Sequence, residues 1–278
     1  MTPADIDATS AMALGAVQGL TEFLPVSSSG HVAIGALLFE LEEAGPSLSI
    51  VLHLGTLIAT LLLFRKDVAG LFVATGRAVA KPSSLRDSEE GRTLARILLA
   101  SIPTAVIGLL VKDYVEAWAH FPWIVGACLL VSAVLVLTTR RSGGADKEAK
   151  KELSLRAALI VGVVQGVAVL PGISRSGATI AAAMMLGMAG ASAFRFSFLL
   201  SLPAVAGAAL LLLLKDNAFA SVPPALWLGG LVALVVGLLS LVLLRKVVNE
   251  GRFWAFALYL VPVGVGLIVY DLWFGASQ

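Results

Sequence analysis

GAVQGLTEFLPVSSSGH (residues 15–31) and GVVQGVAVLPGISRSGAT (residues 162–179) are two versions of one pattern. Each contains a Gly-x-x-Gln-Gly segment, then a Leu-Pro step, and then Ser-x-Ser-Gly. A repeat spaced at about half the chain length predicts two related structural halves. The copies differ in their ionisable residues, because Glu22 and His31 occur only in the first copy and Arg175 only in the second.

The composition indicates that both copies lie in a membrane. Of the 278 residues, 58% are hydrophobic and 14% are charged, whereas about 25% of the residues in a soluble domain are charged. Apolar runs recur, each long enough to cross a hydrocarbon core of roughly 30 Å. Residues 1–10 lack the Lys and Arg of a secretory signal, and the single cysteine excludes an internal disulfide. We therefore expect a polytopic helical membrane protein.

In each half, a short apolar segment, here called an arm, lies on either side of the polar part of the repeated motif. Residues 11–24 would form a helix of about 21 Å at 1.5 Å per residue, which is too short to cross the membrane. Pro25 and three serines follow, and a second short arm covers residues 31–39. The second half repeats this arrangement with arms at 153–170 and 178–190. Two short arms around a polar tip predict a re-entrant helical hairpin.

Three longer apolar segments follow each hairpin. The predicted transmembrane helices lie near residues 46–64, 93–111, 121–139, 194–214, 225–244 and 253–270. Residues 68–80 are amphipathic and are expected at the membrane interface. A charged linker divides the membrane domain into repeats 1–145 and 146–278, and an odd number of crossings per repeat inverts the second. The prediction is an all-α polytopic membrane protein with an inverted-topology repeat, six transmembrane helices and two re-entrant helical hairpins, whose site lies at the repeat interface.

The distribution of Lys and Arg predicts the orientation of the chain. On this topology sixteen of these residues lie in loops on one side, and only Lys112 and Lys215 lie on the other. Strongly basic loops usually face the cytoplasm. Both termini and the opening of the first hairpin are therefore expected on the outer side of the membrane.

Glu22 and Arg175 are the ionisable residues placed deepest in the predicted hairpins. Such groups are costly in a membrane and usually face a partner, a cavity or a substrate. A structural ion pair between the hairpins is one interpretation, but it leaves the surrounding hydroxyl groups unexplained. Gln18, four residues before Glu22, shares its helical face.

Hydroxyl side chains mark the start of the second arm in each hairpin. They are Ser27, Ser28 and Ser29 in the first hairpin and Ser174, Ser176 and Thr179 in the second. Serines at this position commonly cap a helix, while the helix N-terminus also offers N–H groups and a positive dipole end to an anion. Two such ends, an arginine and several hydroxyls that converge from opposite sides predict a phosphate or diphosphate pocket.

The three histidines lie in different sequence surroundings. His31 falls in the first turn of the second arm, close to the carboxylate and the hydroxyls, and is a candidate functional group. His53 lies in the middle of a predicted span, away from the motifs, and is interpreted as a packing residue. His120 follows a span boundary and is expected at the membrane interface.

Three segments carry a resemblance to a known family: QGLTE (residues 18–22), FLPVSSSGH (residues 23–31) and PGISRSGAT (residues 171–179). The chain resembles the undecaprenyl-diphosphate phosphatases, the bacitracin-resistance phosphatases of bacterial membranes. The family pattern of Glu or Gln followed four residues later by Glu matches QGLTE, and the second family motif matches PGISRSGAT in full. Many members have Glu at the position of Gln18, so that the first motif here contributes one carboxylate, Glu22.

The resemblance implies a function for the predicted pocket. Family members remove the terminal phosphate of undecaprenyl diphosphate, which recycles the lipid carrier of peptidoglycan synthesis and gives bacitracin resistance. The resemblance also implies a multi-pass protein of a bacterial inner membrane. With the orientation predicted from the Lys and Arg residues, its active site would open to the periplasmic face. By position, the implied catalytic set is Glu22, Ser28 as nucleophile, His31 and Arg175. The implied contacts to the diphosphate are Gln18, Ser27, Ser29, Ser174, Ser176 and Thr179.

The chemistry within this set is open from sequence. His31 either accepts the Ser28 proton or protonates the leaving lipid phosphate, and the nucleophile is Ser28, Ser27 or His31. Glu22 either orients His31 or, with Gln18, holds a divalent cation, for which hard oxygen ligands favour Mg²⁺ or Ca²⁺.

A second function would use the same pocket. The expected partners are a polyprenyl diphosphate lipid and membrane lipids, with no nucleic acid, and the oligomeric state is open. The alternative to an enzyme is a polyprenyl-phosphate or anion transporter, or a flippase, because inverted repeats with broken helices are common in transporters. A carrier would not need the group formed by Glu22, Ser28 and His31.

Overall fold

The computed structural model describes residues 7–28, 30–31, 46–142, 150–216 and 222–274. The helices are α1 (Ala8–Thr21), α2 (Pro46–Leu63), α3 (Arg65–Ala80), α4 (Glu89–Ala119), α5 (Pro122–Ser142), α6 (Leu155–Val167), α7 (Arg175–Met185), α8 (Gly190–Asp216), α9 (Pro224–Asn249) and α10 (Ala257–Phe274). Two short 3-10 helices, Pro82–Arg86 and Phe253–Phe256, precede α4 and α10. Within the described ranges the prediction of an all-α chain is confirmed.

Several helices have the length and composition of membrane spans. Five qualify: Glu89–Val115, Pro122–Arg141, Gly190–Gly207, Pro224–Asn249 and Phe253–Phe274. A sixth results if α2 and α3 count as one broken span, since Leu48–Leu63 and Arg65–Ala80 meet at a bend of 83°. The chain is therefore a multi-pass membrane protein with five or six candidate crossings in its described part.

Some helices extend beyond the apolar runs that predict them, and α4 is an example. The span expected near residues 93–111 corresponds to α4, which begins at Glu89 because the Ser88 hydroxyl accepts a hydrogen bond from the Gly91 N–H at 3.0 Å. Glu89 and Glu90 then lie in the first turn, where acidic groups interact favourably with the helix dipole. Capping rather than hydrophobicity sets where this helix begins.

The bend after α2 separates an amphipathic helix from the bundle. Phe64 lies at the bend, is buried, and packs against the rings of Phe194 and Phe198 at centroid distances of 5.7 and 5.9 Å. Ala74 is the one residue of α3 that is buried. A break between a span and a largely exposed helix was expected from the amphipathic pattern of residues 68–80, and the structure contains it.

Three helices are too short to cross a membrane. α1, α6 and α7 contain 14, 13 and 11 residues, and at 1.5 Å per residue the longest measures about 21 Å. Turns at residues 22–26 follow α1, and a similar break at residues 168–172 separates α6 from α7. Residues 28, 30 and 31 are helical and begin the second arm of the first predicted hairpin. The rest of that arm, residues 32–39, lies outside the described residues.

Glycines allow α1 to pack closely along α9. A Cβ atom on Gly15 would lie 2.2 Å from the carbonyl oxygen of Gly229, and one on Gly19 would lie 2.9 Å from the Cβ of Val236. Both residue numbers increase together, so the two helices run in the same direction. No larger side chain fits at Gly15 without moving a helix backbone.

The contact between α6 and α4 has the same form. A Cβ atom on Gly162 would lie 2.2 Å from the carbonyl oxygen of Ala100, and one on Gly166 would lie 2.8 Å from the Cβ of Ile107. These helices also run parallel. Gly162 and Gly166 are the repeat partners of Gly15 and Gly19, so equivalent glycines make equivalent contacts in the two halves.

The contact between α5 and α10 joins the two halves directly. A Cβ atom on Gly126 would lie 2.6 Å from the carbonyl oxygen of Gly264, and one on Gly264 would lie 2.9 Å from that of Gly126. Ile268 is also close to Gly126, and Leu130 is close to Gly264. The pairing of later residues in one helix with earlier residues in the other shows that α5 and α10 are antiparallel.

Candidate functional site

One carboxylate connects the tips of the two predicted hairpins. Glu22 follows the last residue of α1 and its side chain is 8% exposed. Its Oε2 accepts hydrogen bonds from Ser28 Oγ at 2.7 Å and from Gln18 Nε2 at 3.2 Å. Its Oε1 accepts a hydrogen bond from Nη2 of Arg175, the first residue of α7. The predicted meeting of Glu22, Ser28 and Arg175 is therefore present in the structure.

A cavity of about 320 Å³ opens beside this contact. Its polar lining residues are Thr21, Glu22, Ser27, Ser28, Ser49, His53, Thr104, Gln165, Ser174 and Arg175. Apolar residues of α8 and of the break after α6 complete the wall. Small-ligand pockets have volumes of about 300–1,000 Å³ and combine an apolar lining with a few polar groups, which this cavity does.

The tip of the first hairpin has an unusual backbone. Ser27 has φ 70°, the one positive φ of a non-glycine residue in the described part of the chain. Such conformations cost about 1–3 kcal/mol and are frequent at functional sites. Ser28 follows at the start of the second arm, and this backbone accompanies a Ser28 hydroxyl that points back to Glu22.

The tip of the second hairpin is held by serine capping. The Ser174 hydroxyl accepts a hydrogen bond from the Gly177 N–H at 3.1 Å, and the Ser174 N–H donates to Ser132 Oγ of α5 at 2.9 Å. Ser176 Oγ lies 3.3 Å from Ser174 Oγ and is buried. These contacts fix the N-terminus of α7, so that Arg175 faces the first hairpin.

Thr179 points away from the cavity. Its hydroxyl donates to the Arg175 carbonyl oxygen at 2.7 Å and lies 2.5 Å from Ser197 Oγ of α8, and the residue is fully buried. Neither Ser176 nor Thr179 lines the cavity, whereas Ser174 does. A predicted phosphate contact by Ser29 falls on a residue outside the described part.

His31 is directed to α10 instead of the carboxylate. Its Nδ1 lies 2.9 Å from the carbonyl oxygen of Ser27, and its Nε2 lies 2.5 Å from the hydroxyl oxygen of Tyr259. The two rings stack at a centroid distance of 5.8 Å. The Ser28 hydroxyl donates to Glu22, so the structure places Glu22 and not His31 next to the candidate nucleophile.

The interpretation of His53 as a packing residue is wrong. Its side chain is 43% exposed, lines the cavity, and places Nε2 3.8 Å from Glu22 Oε2. The contact could not be predicted from the sequence, because His53 and Glu22 are far apart along the chain and come together only when α2 packs beside α1. Ser49 and His53, four residues apart in an apolar helix, were the available signal, since polar residues at membrane depth tend to face cavities. Gln165 and Thr104 were missed for the same reason.

The donor set fits a divalent cation only together with a phosphate ligand. Among the residues described, no group of three or more His, Cys, Asp or Glu side chains could hold a metal ion. Glu22 is the one carboxylate among the cavity residues that the structure describes. Mg²⁺ is usually held by one or two carboxylates together with substrate phosphates and water. The predicted metal ligands, Glu22 and Gln18, do not form such a site by themselves, because both Glu22 oxygens accept hydrogen bonds and Gln18 does not line the cavity. A cation here would depend on phosphate oxygens that enter with a diphosphate.

Known proteins are similar to this chain over nearly its whole length. A family model described as bacitracin resistance protein BacA matches residues 11–266. The chain is 45% identical to the undecaprenyl-diphosphatase of Desulforapulum autotrophicum, with 92% of this chain and 95% of that protein covered. It is 40% identical to the undecaprenyl-diphosphatase of Treponema denticola (94% and 96% covered) and 44% identical to that of Desulfosudis oleivorans (90% and 94% covered).

Proposed function

The chain belongs to the bacitracin resistance protein BacA family, and we propose that it hydrolyses undecaprenyl diphosphate to undecaprenyl phosphate and inorganic phosphate. The relatives named above are undecaprenyl-diphosphatases that align over nearly their full length. The observation that carries the proposal is the contact of Ser28, Glu22 and Arg175 at a cavity between two hairpin tips. The reaction regenerates the lipid carrier of peptidoglycan synthesis and accounts for bacitracin resistance.

The proposed architecture is an inverted repeat of residues 1–145 and 146–278, with a re-entrant hairpin in each half. The parallel pairs α1–α9 and α6–α4, made by equivalent glycines, support it. The antiparallel contact of α5 with α10 supports it as well, because a helix and its inverted copy run in opposite directions. The short length of α1, α6 and α7 favours hairpins that do not cross the membrane.

The proposed orientation places the site on the periplasmic side of the bacterial inner membrane, with both termini outside. It is supported by the concentration of Lys and Arg in loops of the opposite side. Single cysteines introduced at Glu42 and Lys147, in a Cys128→Ser background, test it with a membrane-impermeant label on intact cells. Labelling at residue 42 and not at residue 147 is expected, and the reverse pattern would invert the orientation.

The first chemical step transfers the terminal phosphoryl group to Ser28. The Ser28 oxygen forms a bond to phosphorus as its proton passes to Glu22, 2.7 Å away, and the bond to the bridging oxygen breaks to release undecaprenyl phosphate. Arg175 and the N-terminus of α7 neutralise the charge on the phosphoryl oxygens in a loose transition state. Ser28 is favoured over Ser27 and His31 as the nucleophile because its hydroxyl already donates to a carboxylate.

The second step returns the enzyme to its starting state. Water attacks the phosphoserine and one of its protons passes to solvent, the bond from Ser28 oxygen to phosphorus breaks, inorganic phosphate leaves, and Glu22 returns its proton to the Ser28 oxygen. Ser27, Ser29 and Ser174 are proposed to contact the diphosphate. Gln18 was also expected to do so, but it is buried, does not line the cavity and donates to Glu22, which indicates that it positions that carboxylate.

Ser176, Thr179 and His31 stand further from the reacting atoms. Ser176 and Thr179 were expected to contact the diphosphate, but their buried hydroxyls now indicate that they hold Arg175 in place. For His31 we retain the other predicted role, proton donation to the leaving lipid phosphate, which requires a protonated ring whose Nε2 gives up its contact with Tyr259.

A divalent cation, Mg²⁺ or Ca²⁺, is proposed to enter with the diphosphate and to be held by its phosphate oxygens, because both oxygens of Glu22 already accept hydrogen bonds. When bound, it would neutralise charge on the phosphate oxygens. Treatment with a chelator should abolish phosphate release, and Mg²⁺ or Ca²⁺ should restore it. Full activity in chelator would remove the cation from the proposal.

Phosphate release is the direct test of the function. Purified protein in detergent, given undecaprenyl diphosphate, should release inorganic phosphate, and the Ser28→Ala variant should not. A transporter or flippase would bind the lipid and leave the diphosphate intact. Binding without release, with any divalent ion present, would therefore favour the carrier.

A further inference from the structure

Two histidines lie near the site, and their ring nitrogens are engaged differently. In both, Nδ1 lies within hydrogen-bond distance of a backbone carbonyl oxygen, that of Ser27 for His31 and that of Ser49 for His53. A carbonyl oxygen only accepts, so Nδ1 carries the proton in each ring and the lone pair of the neutral ring lies on Nε2. The Nε2 of His31 accepts a hydrogen bond from the hydroxyl of Tyr259. The Nε2 of His53 instead faces the cavity.

His53 and Ser28 face the same oxygen atom. Nε2 of His53 lies 3.8 Å from Glu22 Oε2, and Ser28 Oγ lies 2.7 Å from that oxygen. A separation of 3.8 Å exceeds hydrogen-bond length, so the lone pair on Nε2 is free to accept a proton from a water in the cavity. Among the described cavity residues, the charged groups are Glu22, after α1, and Arg175, at the start of α7.

We propose that His53 is a catalytic base, which removes a proton from the water that attacks the phosphorylated Ser28. This inference rests on the proposed function and on its phosphoserine intermediate. A carboxylate that has just taken the Ser28 proton cannot also deprotonate water, so the second step needs another base. His53 can act as this base, because its Nε2 and the Ser28 hydroxyl both face Oε2 of Glu22.

The proton and bond changes balance within these residues. The water oxygen forms a bond to phosphorus and gives one proton to His53 Nε2. The Ser28 oxygen leaves phosphorus and takes the proton held by Glu22. Inorganic phosphate departs, and His53 returns its proton to solvent through the cavity, to which its 43% exposed side chain has access.

The variant His53→Asn isolates this step. Its amide N–H can keep the bond to the Ser49 carbonyl oxygen, while the base at Nε2 is lost. General-base catalysis contributes about 10²–10⁴-fold, so we expect steady-state phosphate release to fall at least about 100-fold. Rapid-quench measurement with terminally labelled undecaprenyl diphosphate should show phosphorylation at near wild-type rate and accumulation of phosphate on the protein. His120→Gln, at the C-terminal end of α4, is the matched control and should behave as wild type.

A second variant separates a chemical role from a structural one. His53→Ala should regain turnover when imidazole is added, whereas Ser28→Ala should not. The inference is overturned if His53→Asn turns over at wild-type rate. It is also overturned if turnover falls without accumulation of phosphoprotein and without imidazole rescue. Wild-type protein that releases no phosphate would instead refute the proposed function itself.

Discussion

The pair Glu22 and Arg175 can be removed without leaving a charge unpaired. Replacing both by glutamine deletes the ion pair, while Glu22→Gln or Arg175→Gln alone leaves one charged partner behind. Removing one member of a buried pair costs about 3–5 kcal/mol, whereas removing both is often close to neutral. The paired variant distinguishes a structural ion pair from a catalytic one.

The burial of the two side chains sets the expected order of stability. Glu22 is 8% exposed and Arg175 is 24% exposed beside the cavity, so a lone carboxylate is more poorly solvated than a lone guanidinium. We expect Arg175→Gln to lower the free energy of unfolding by about 3 kcal/mol or more and Glu22→Gln by about 2 kcal/mol. The double variant should recover most of this, which gives a coupling energy of about 4 kcal/mol in a double-mutant cycle.

For the double variant, chemical unfolding in detergent should show recovered stability, whereas the phosphate-release assay should show that activity is still lost. Stability should return to within about 1 kcal/mol of wild type, while phosphate release stays at least about 100-fold reduced, because the base for Ser28 and the phosphate clamp are both gone. A double variant that is stable and active would refute the chemistry assigned to these residues. A Glu22→Gln variant less stable than Arg175→Gln would refute the burial argument.

Further predictions concern the clamp, the helix contacts and a surface carboxylate. Arg175→Lys should lose most phosphate release at unchanged stability, since an ammonium does not reproduce the planar guanidinium; near-normal kcat would contradict a clamp. Gly15→Leu should destabilise the fold, because its Cβ would lie 2.2 Å from a carbonyl oxygen of α9, while Gly76→Ala in α3, with nothing within 4 Å, should be neutral or stabilising in thermal unfolding. The hydrogen bond from Arg92 holds the pKa of Glu152 below its usual value of 4.5, so its contribution to stability is complete above that value and lost as the pH falls below it. Glu152→Gln should reduce this acid dependence in unfolding titrations, and an unchanged dependence would exclude the pair as its source.

The sequence predicts the contact of Glu22, Ser28 and Arg175 because these residues all lie within the repeated motifs. Glu22 and Ser28 lie six residues apart on either side of Pro25, so a turn there brings them together. The position of Arg175 was expected from the predicted inverted repeat, in which two opposed hairpin tips meet near the middle of the membrane. These three side chains form the contact that was expected.

Other features depend on which helix packs beside the site, and no local pattern determines that. His53 reaches Glu22 from α2, and Gln165 and Thr104 reach the cavity from α6 and α4. Thr179 shows the converse, because one helical turn after Arg175 its side chain faces α8. A motif gives spacing along the chain, whereas the packing of neighbouring helices decides which hydroxyls reach the substrate.

The identity of the phosphorylated residue tests the central claim most directly. Wild-type protein is mixed with undecaprenyl diphosphate labelled in its terminal phosphate, quenched within a turnover, digested and mapped by mass spectrometry. Phosphate on Ser28, together with no phosphate release by Ser28→Ala, is the expected result. Phosphate on His31 or Ser27, with Ser28→Ala still turning over, would contradict it.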